Sequence, residues 1–62
     1  MPVVTVQLWP GRTHAQKAEL ARAITEAVVT IAHARPESTT VIIQEVSREH
    51  WAIGGVLASD AT

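Results

Sequence analysis

Three residues of this chain, Pro2, Arg12 and Trp51, combine types and positions that could do chemistry. A proline directly behind the initiator methionine becomes a secondary amine at the head of the chain once that methionine is cleaved. Proline is a small second residue that permits such cleavage, so Met1 is expected to be absent from the mature protein. An ordinary α-amino group titrates at about 7.7–8.0. An apolar hollow disfavours its ammonium form, and a nearby arginine does so again. The neutral amine that results takes a proton from an enol hydroxyl or an activated carbon and returns it elsewhere. Arg12 stands beside the Pro10-Gly11 turn and offers five donors suited to a carboxylate. Plainer readings stand beside each. Pro2 starts a strand cleanly, Arg12 is a solvated charge or a partner for Glu19, and Trp51 is buried subunit contact. His50 reads as surface or interface, Trp9 as interface or pocket rim, and Glu45 and Glu49 as solvated.

The elements that must position these groups are legible in the pattern. Residues 2 to 9 alternate as a strand, with Val4, Val6 and Leu8 on one face and Val3, Thr5, Gln7 and Trp9 on the other. Pro10-Gly11 ends it. Thr13 and Gln16 have the spacing of a capping box, which predicts a helix from Ala15 to about His33. Leu20, Ile24, Ala27, Val28 and Ile31 form its apolar stripe, with Lys17, Glu19, Arg22 and Glu26 on the wetter side. Arg22 and Glu26 stand one turn apart and suit a weak pair. Arg35-Pro36 breaks the helix. Residues 39 to 46, rich in β-branched types, predict a second strand, and the consecutive Val41, Ile42 and Ile43 predict burial on both faces. Strand, helix and strand make a β-α-β unit whose strands run parallel. Gly54-Gly55 then reads as the turn of a short C-terminal hairpin.

At 62 residues the chain holds one domain at most, residues 1–62, and a chain this short is marginal without support. It has no cysteine, and the spacing of His14, His33 and His50 matches no compact zinc pattern, so neither disulfide nor metal is expected to staple it. Association with other copies, or with a sister chain, is the remaining route. One helix covers one face of a two-stranded sheet; the other face must meet another subunit, as must the strand edges. A net charge of −1 without a basic cluster argues against nucleic acid, and no apolar run reaches the length of a membrane span. The opening residues lack a signal peptide's pattern, so a soluble, cytoplasmic protein is expected.

Pro2, the Gly11-Arg12 turn, the helix, the Val41-Ile42-Ile43 strand with Glu45, and His50-Trp51-Ala52-Ile53-Gly54-Gly55 occur in an order that resembles the tautomerase superfamily. The resemblance is to 4-oxalocrotonate tautomerase and its short relatives, over nearly the whole chain. It implies β-α-β subunits assembled as hexamers, commonly trimers of dimers, and enol–keto isomerisation without a cofactor. It implies that Pro2 is the general base, that Arg12 holds a substrate carboxylate, and that Trp51 replaces a phenylalanine on the pocket wall. The family's second active-site arginine, lent by a neighbouring subunit, corresponds to Thr40, which argues against efficient turnover of diacids. The family's dehalogenases and hydratases carry an acid in the hairpin segment, and Trp51 to Gly55 has none, which disfavours that chemistry. The expected activity is therefore a cofactor-independent tautomerase of a 2-oxo acid or its enol. The expected assembly is a homo-oligomer, with a hexamer favoured, or a mixed oligomer. A non-catalytic structural subunit of such a mixed oligomer is the alternative, and a binding protein without turnover is a third.

Overall fold

The computed structural model describes residues 2–61, so the expected loss of Met1 lies outside the described residues. Strand β1 spans Val3–Leu8, helix α1 His14–Ala32 and strand β2 Thr40–Glu45, followed by the two-residue strands β3 (Ala52–Ile53) and β4 (Val56–Leu57). Single 3₁₀ turns at Pro36–Ser38, Arg48–His50 and Ala58–Asp60 join or end them.

β1 and β2 pair in parallel, with Val3 opposite Thr40 and Leu8 opposite Glu45. The ladder runs past both ends of the register: the Thr40 N–H donates to the Pro2 carbonyl at 3.0 Å, and the Val46 N–H to the Leu8 carbonyl at 2.8 Å. Burial alternates as the sequence does. Val4, Val6, Leu8, Val41 and Ile43 are half-buried, while Val3, Thr5, Gln7, Thr40 and Ile42 are exposed. The covered set turns towards α1, and the other set forms an open face. Both-sided burial of Val41 to Ile43 is thus half met within one chain, since Ile42 remains 45% exposed.

α1 begins with the predicted capping box. The Gln16 N–H donates to Thr13 Oγ1 at 3.1 Å and the Thr13 N–H to Gln16 Oε1 at 2.9 Å, satisfying two donors that a helix start would leave free. Its half-buried stripe is Lys17, Leu20, Ala21, Ile24, Thr25, Val28 and Val29, displaced from the expected one. Thr25 is tolerated there because its hydroxyl donates to the Ala21 carbonyl at 2.8 Å. Ala27 lies at the edge of the stripe and is exposed. Ile31 points the same way as Leu20 and Ile24 but is 78% exposed. Length explains it: 19 helical residues run to about 28 Å, against roughly 20 Å for a six-residue strand, so the last helical turns overhang the sheet. Lys17 does not join the wet side either. Its Nζ reaches Glu45 Oε2 at 3.1 Å and ties the helix start to the end of β2, so Glu45 is an ion-pair partner rather than a solvated acid.

The hairpin closes on Gly54 and Gly55, with φ of 61° and 84°. Two consecutive left-handed residues make a two-residue turn that glycine adopts without steric cost. It pairs Ala52 with Leu57 and Ile53 with Val56.

This architecture has almost no core. Among the described residues only Ala58 is buried, at 5% exposure. The radius of gyration is 14.5 Å, where a compact domain of 62 residues would show about 11 Å. A folded monomer of 6.7 kDa exposes about 3,900 Å² by size scaling, whereas this chain exposes 4723 Å². The excess is about the share that one partner contributes to a standard protein interface.

Candidate active site

The residues singled out by the sequence do not all meet within one chain. Pro2 is half-buried at the end of the sheet where β2 begins, hydrogen-bonded to Thr40 through its carbonyl. Arg12 and Trp51 lie past the opposite ends of the strands. Seven residue steps of extended chain lead from Pro2 to Trp9, roughly 23 Å at the usual rise per residue.

At that far end an aromatic cluster gathers. Trp9 directly follows β1 and Trp51 follows the 3₁₀ turn at Arg48–His50. Their rings meet edge to face, with centroids 5.9 Å apart and planes at 78°, an arrangement favoured by the ring quadrupoles. Arg48 lies over Trp9 with its guanidinium carbon 4.9 Å from the ring centroid. Arg48 Nη2 also donates to the Ala58 carbonyl at 3.1 Å, while the Ala58 N–H donates to the Trp51 carbonyl at 2.7 Å. The C-terminal turn is thereby folded back on the cluster. That is why Ala58 is the buried residue. Arg12 reaches the same tryptophan from the backbone side, donating from Nη1 to the Trp9 carbonyl at 3.3 Å. It does not pair with Glu19, which is taken by Arg22 at 2.6 Å. Arg22 also reaches Glu26 at 3.5 Å. Trp9 Nε1 is buried without an acceptor among the described residues, which costs about 1–3 kcal/mol unless something supplies one.

Trp51 lines a shallow hollow of about 300 Å³ with Gln7, Val46, His50 and Ala52. Its floor belongs to the open face: Gln7 and Gln44 are register partners, and Gln7 Nε2 donates to Gln44 Oε1 at 2.8 Å. Two larger depressions flank α1, one beside Arg22 and Glu26 and the other beside Glu19. Both border exposed carboxylates on the helix surface, and neither includes Pro2, Arg12 or a tryptophan. His50, as expected, is exposed.

Sequence reasoning missed Arg48. Thirty-nine residues separate it from Trp9, so no local spacing announces the stack. The parallel register does, because Leu8 opposite Glu45 sets Trp9 level with Val46, two residues before Arg48.

The fold and residue order agree with what is known of other chains. Residues 2–61 match the family described as Tautomerase enzyme. A probable tautomerase of Bacillus cereus is 45% identical over 60 residues, covering 97% of this chain and 98% of the relative. A 2-hydroxymuconate tautomerase of Bacillus subtilis is 42% identical over 60 residues, covering 97% of each. In three dimensions the chain superposes on a heterohexameric 4-oxalocrotonate tautomerase from Chloroflexus aurantiacus with a TM-score of 0.92 and 34% identity, each chain wholly covered. With the family match over residues 2–61, relatives above 40% identity across nearly the whole chain and a superposition of the whole fold, this chain belongs to the tautomerase family as a short subunit of the 4-oxalocrotonate tautomerase type.

Proposed function

We propose that the chain is a cofactor-independent tautomerase that interconverts the enol and keto forms of a 2-oxo acid, working in the cytoplasm as an oligomer. Membership of the family supports the reaction class. The observation that carries the site is the separation of Pro2 from Arg12 and Trp51 by the length of the sheet, together with an open sheet face. A second copy running antiparallel to the first brings its Pro2 beside the first copy's Arg12. The same association covers apolar surface that one chain leaves bare, as in the hexamer expected for this kind of subunit.

In that arrangement the Pro2 amine, freed of Met1, takes the enol proton and delivers it to carbon. Arg12 holds the carboxylate and fixes which atoms face the amine. Trp51 keeps water from one side, which also keeps the amine uncharged between turnovers. Thr40 supplies no charge, so stabilisation of the developing enolate falls to backbone N–H groups or water.

Two measurements test this. Intact mass of the purified protein should show the loss of Met1, because an acylated proline nitrogen has no basicity. Pro2→Ala should lower kcat on an enolised 2-oxo acid by about 10²–10⁴-fold, the usual contribution of a positioned base, while the oligomer stays assembled. Turnover that survives the substitution unchanged removes the mechanism.

Thr40 also favours a second reading, in which the chain is the non-catalytic partner in a mixed oligomer. The relative from Chloroflexus aurantiacus is itself a heterohexamer. Activity of the chain purified alone would dispose of this reading.

A further inference from the structure

The chain has five lysines and arginines, and their partners divide them sharply. Lys17 holds Glu45, Arg22 holds Glu19 and Glu26, and Arg35 holds Glu37 at 2.6 Å. Among the described residues, Arg12 and Arg48 are the two cations without a carboxylate. Both rest on Trp9, one through its carbonyl and the other across its ring.

The geometry points to Arg48 as a second carboxylate-binding residue, forming with Arg12 a two-arginine cradle on Trp9 for an unsaturated dicarboxylate. This rests on the proposed reading of Arg12 as a carboxylate binder, and it moves the second positive charge from the position of Thr40 to the aromatic end of the same chain. Arg48 is pre-organised for the task. The stack on Trp9 and the bond to Ala58 hold the guanidinium in place while engaging one of its five N–H donors. A planar fork with free donors accepts a carboxylate edge-on with little further loss of rotamer freedom. The competing role is a clamp that only fastens the C-terminal turn. A clamp predicts the same loss for every ligand, whereas a cradle predicts a loss that depends on ligand charge.

A matched pair of unreactive six-carbon dienes separates the two. Trans,trans-muconate carries a carboxylate at both ends and sorbate at one, and both are titrated into the intact oligomer by tryptophan fluorescence. The cradle predicts that muconate binds about 10–100-fold tighter than sorbate, the range for a hydrogen-bonded charge. In Arg48→Gln that preference should fall to near unity with sorbate affinity unchanged, and Arg48→Lys should retain part of it. Equal binding of the two dienes to the wild type overturns the cradle, as does a preference that survives Arg48→Gln. A parallel loss for both ligands assigns Arg48 to the clamp. Pro2→Ala, titrated alongside, should keep the full muconate preference. Failure of the base mechanism would show in turnover alone, so the two failures are distinguishable.

Discussion

Where β2 begins, the sheet offers an imino acid, a threonine and a backbone hydrogen bond, and the arginine in that neighbourhood, Arg35, is already neutralised by Glu37. Where β1 ends, two tryptophans interlock and two arginines stand without acids among the described residues. On the proposed reading, one end has the proton acceptor but nothing to orient a substrate, while the other has means of recognition but no base. A monomer therefore holds the ingredients of a site and no site. The contrast teaches how catalysis and assembly would draw on the same surfaces in so small a fold: the pairing that hides the bare strand face is also what would carry one end to the other.

The most severe way to break the contrast is to keep the copies apart. Ile42 lies on the open face opposite Thr5 and is 45% exposed, so burying the remainder at an interface is worth about 1 kcal/mol. An unpaired carboxylate there costs several kcal/mol more. Ile42→Glu should abolish assembly in sedimentation velocity and leave a chain that melts without a cooperative transition. A folded, assembled Ile42→Glu protein would show that the open face is not an interface.

Next in size is a complementation experiment that joins the two ends deliberately. Pro2→Ala and Arg12→Ala should each be nearly inactive. Co-refolded in equal amounts, they should regain roughly a quarter of wild-type activity. An isologous pair with two shared sites leaves one site intact in each hybrid, and half of the pairs are hybrids. No recovery on mixing would place both residues in a site made by a single chain, or make one of them irrelevant.

The smallest test sharpens the recognition end alone. Thr13 caps α1 immediately after Arg12, and Thr13→Ala should cost about 1 kcal/mol of stability by thermal melting. Because the cap fixes the backbone that carries Arg12, KM should rise with kcat nearly unchanged. A fall in kcat without a change in KM would contradict the assignment of Arg12 to binding.

The elements were legible in the sequence because each is encoded locally. The alternation from Val3 to Leu8, the Thr13–Gln16 pair and Gly54-Gly55 name their structures within a few residues, and the observed ends fall within one residue of the expected strands and helix. The helix stripe was misjudged where the answer is not local. Ile31 has the right periodicity and is exposed because the strands beneath it are too short. Lys17 is polar and half-buried because Glu45, 28 residues away, receives it. The site divides in the same way. The reading of Pro2, Arg12 and Trp51 as site residues leans on family resemblance, since a proline, an arginine and a tryptophan by themselves each have an ordinary structural use. Arg48 became visible only once the register put it against Trp9.

A chain whose interior, among the described residues, is one alanine cannot own its stability as a private property. Its folding must obey mass action, with the midpoint of melting rising as protein concentration rises. Catalysis would follow the same law: on dilution, activity should decay at the rate of subunit exchange and return with second-order kinetics when the solution is concentrated. For such a protein the cell's expression level acts as a structural parameter.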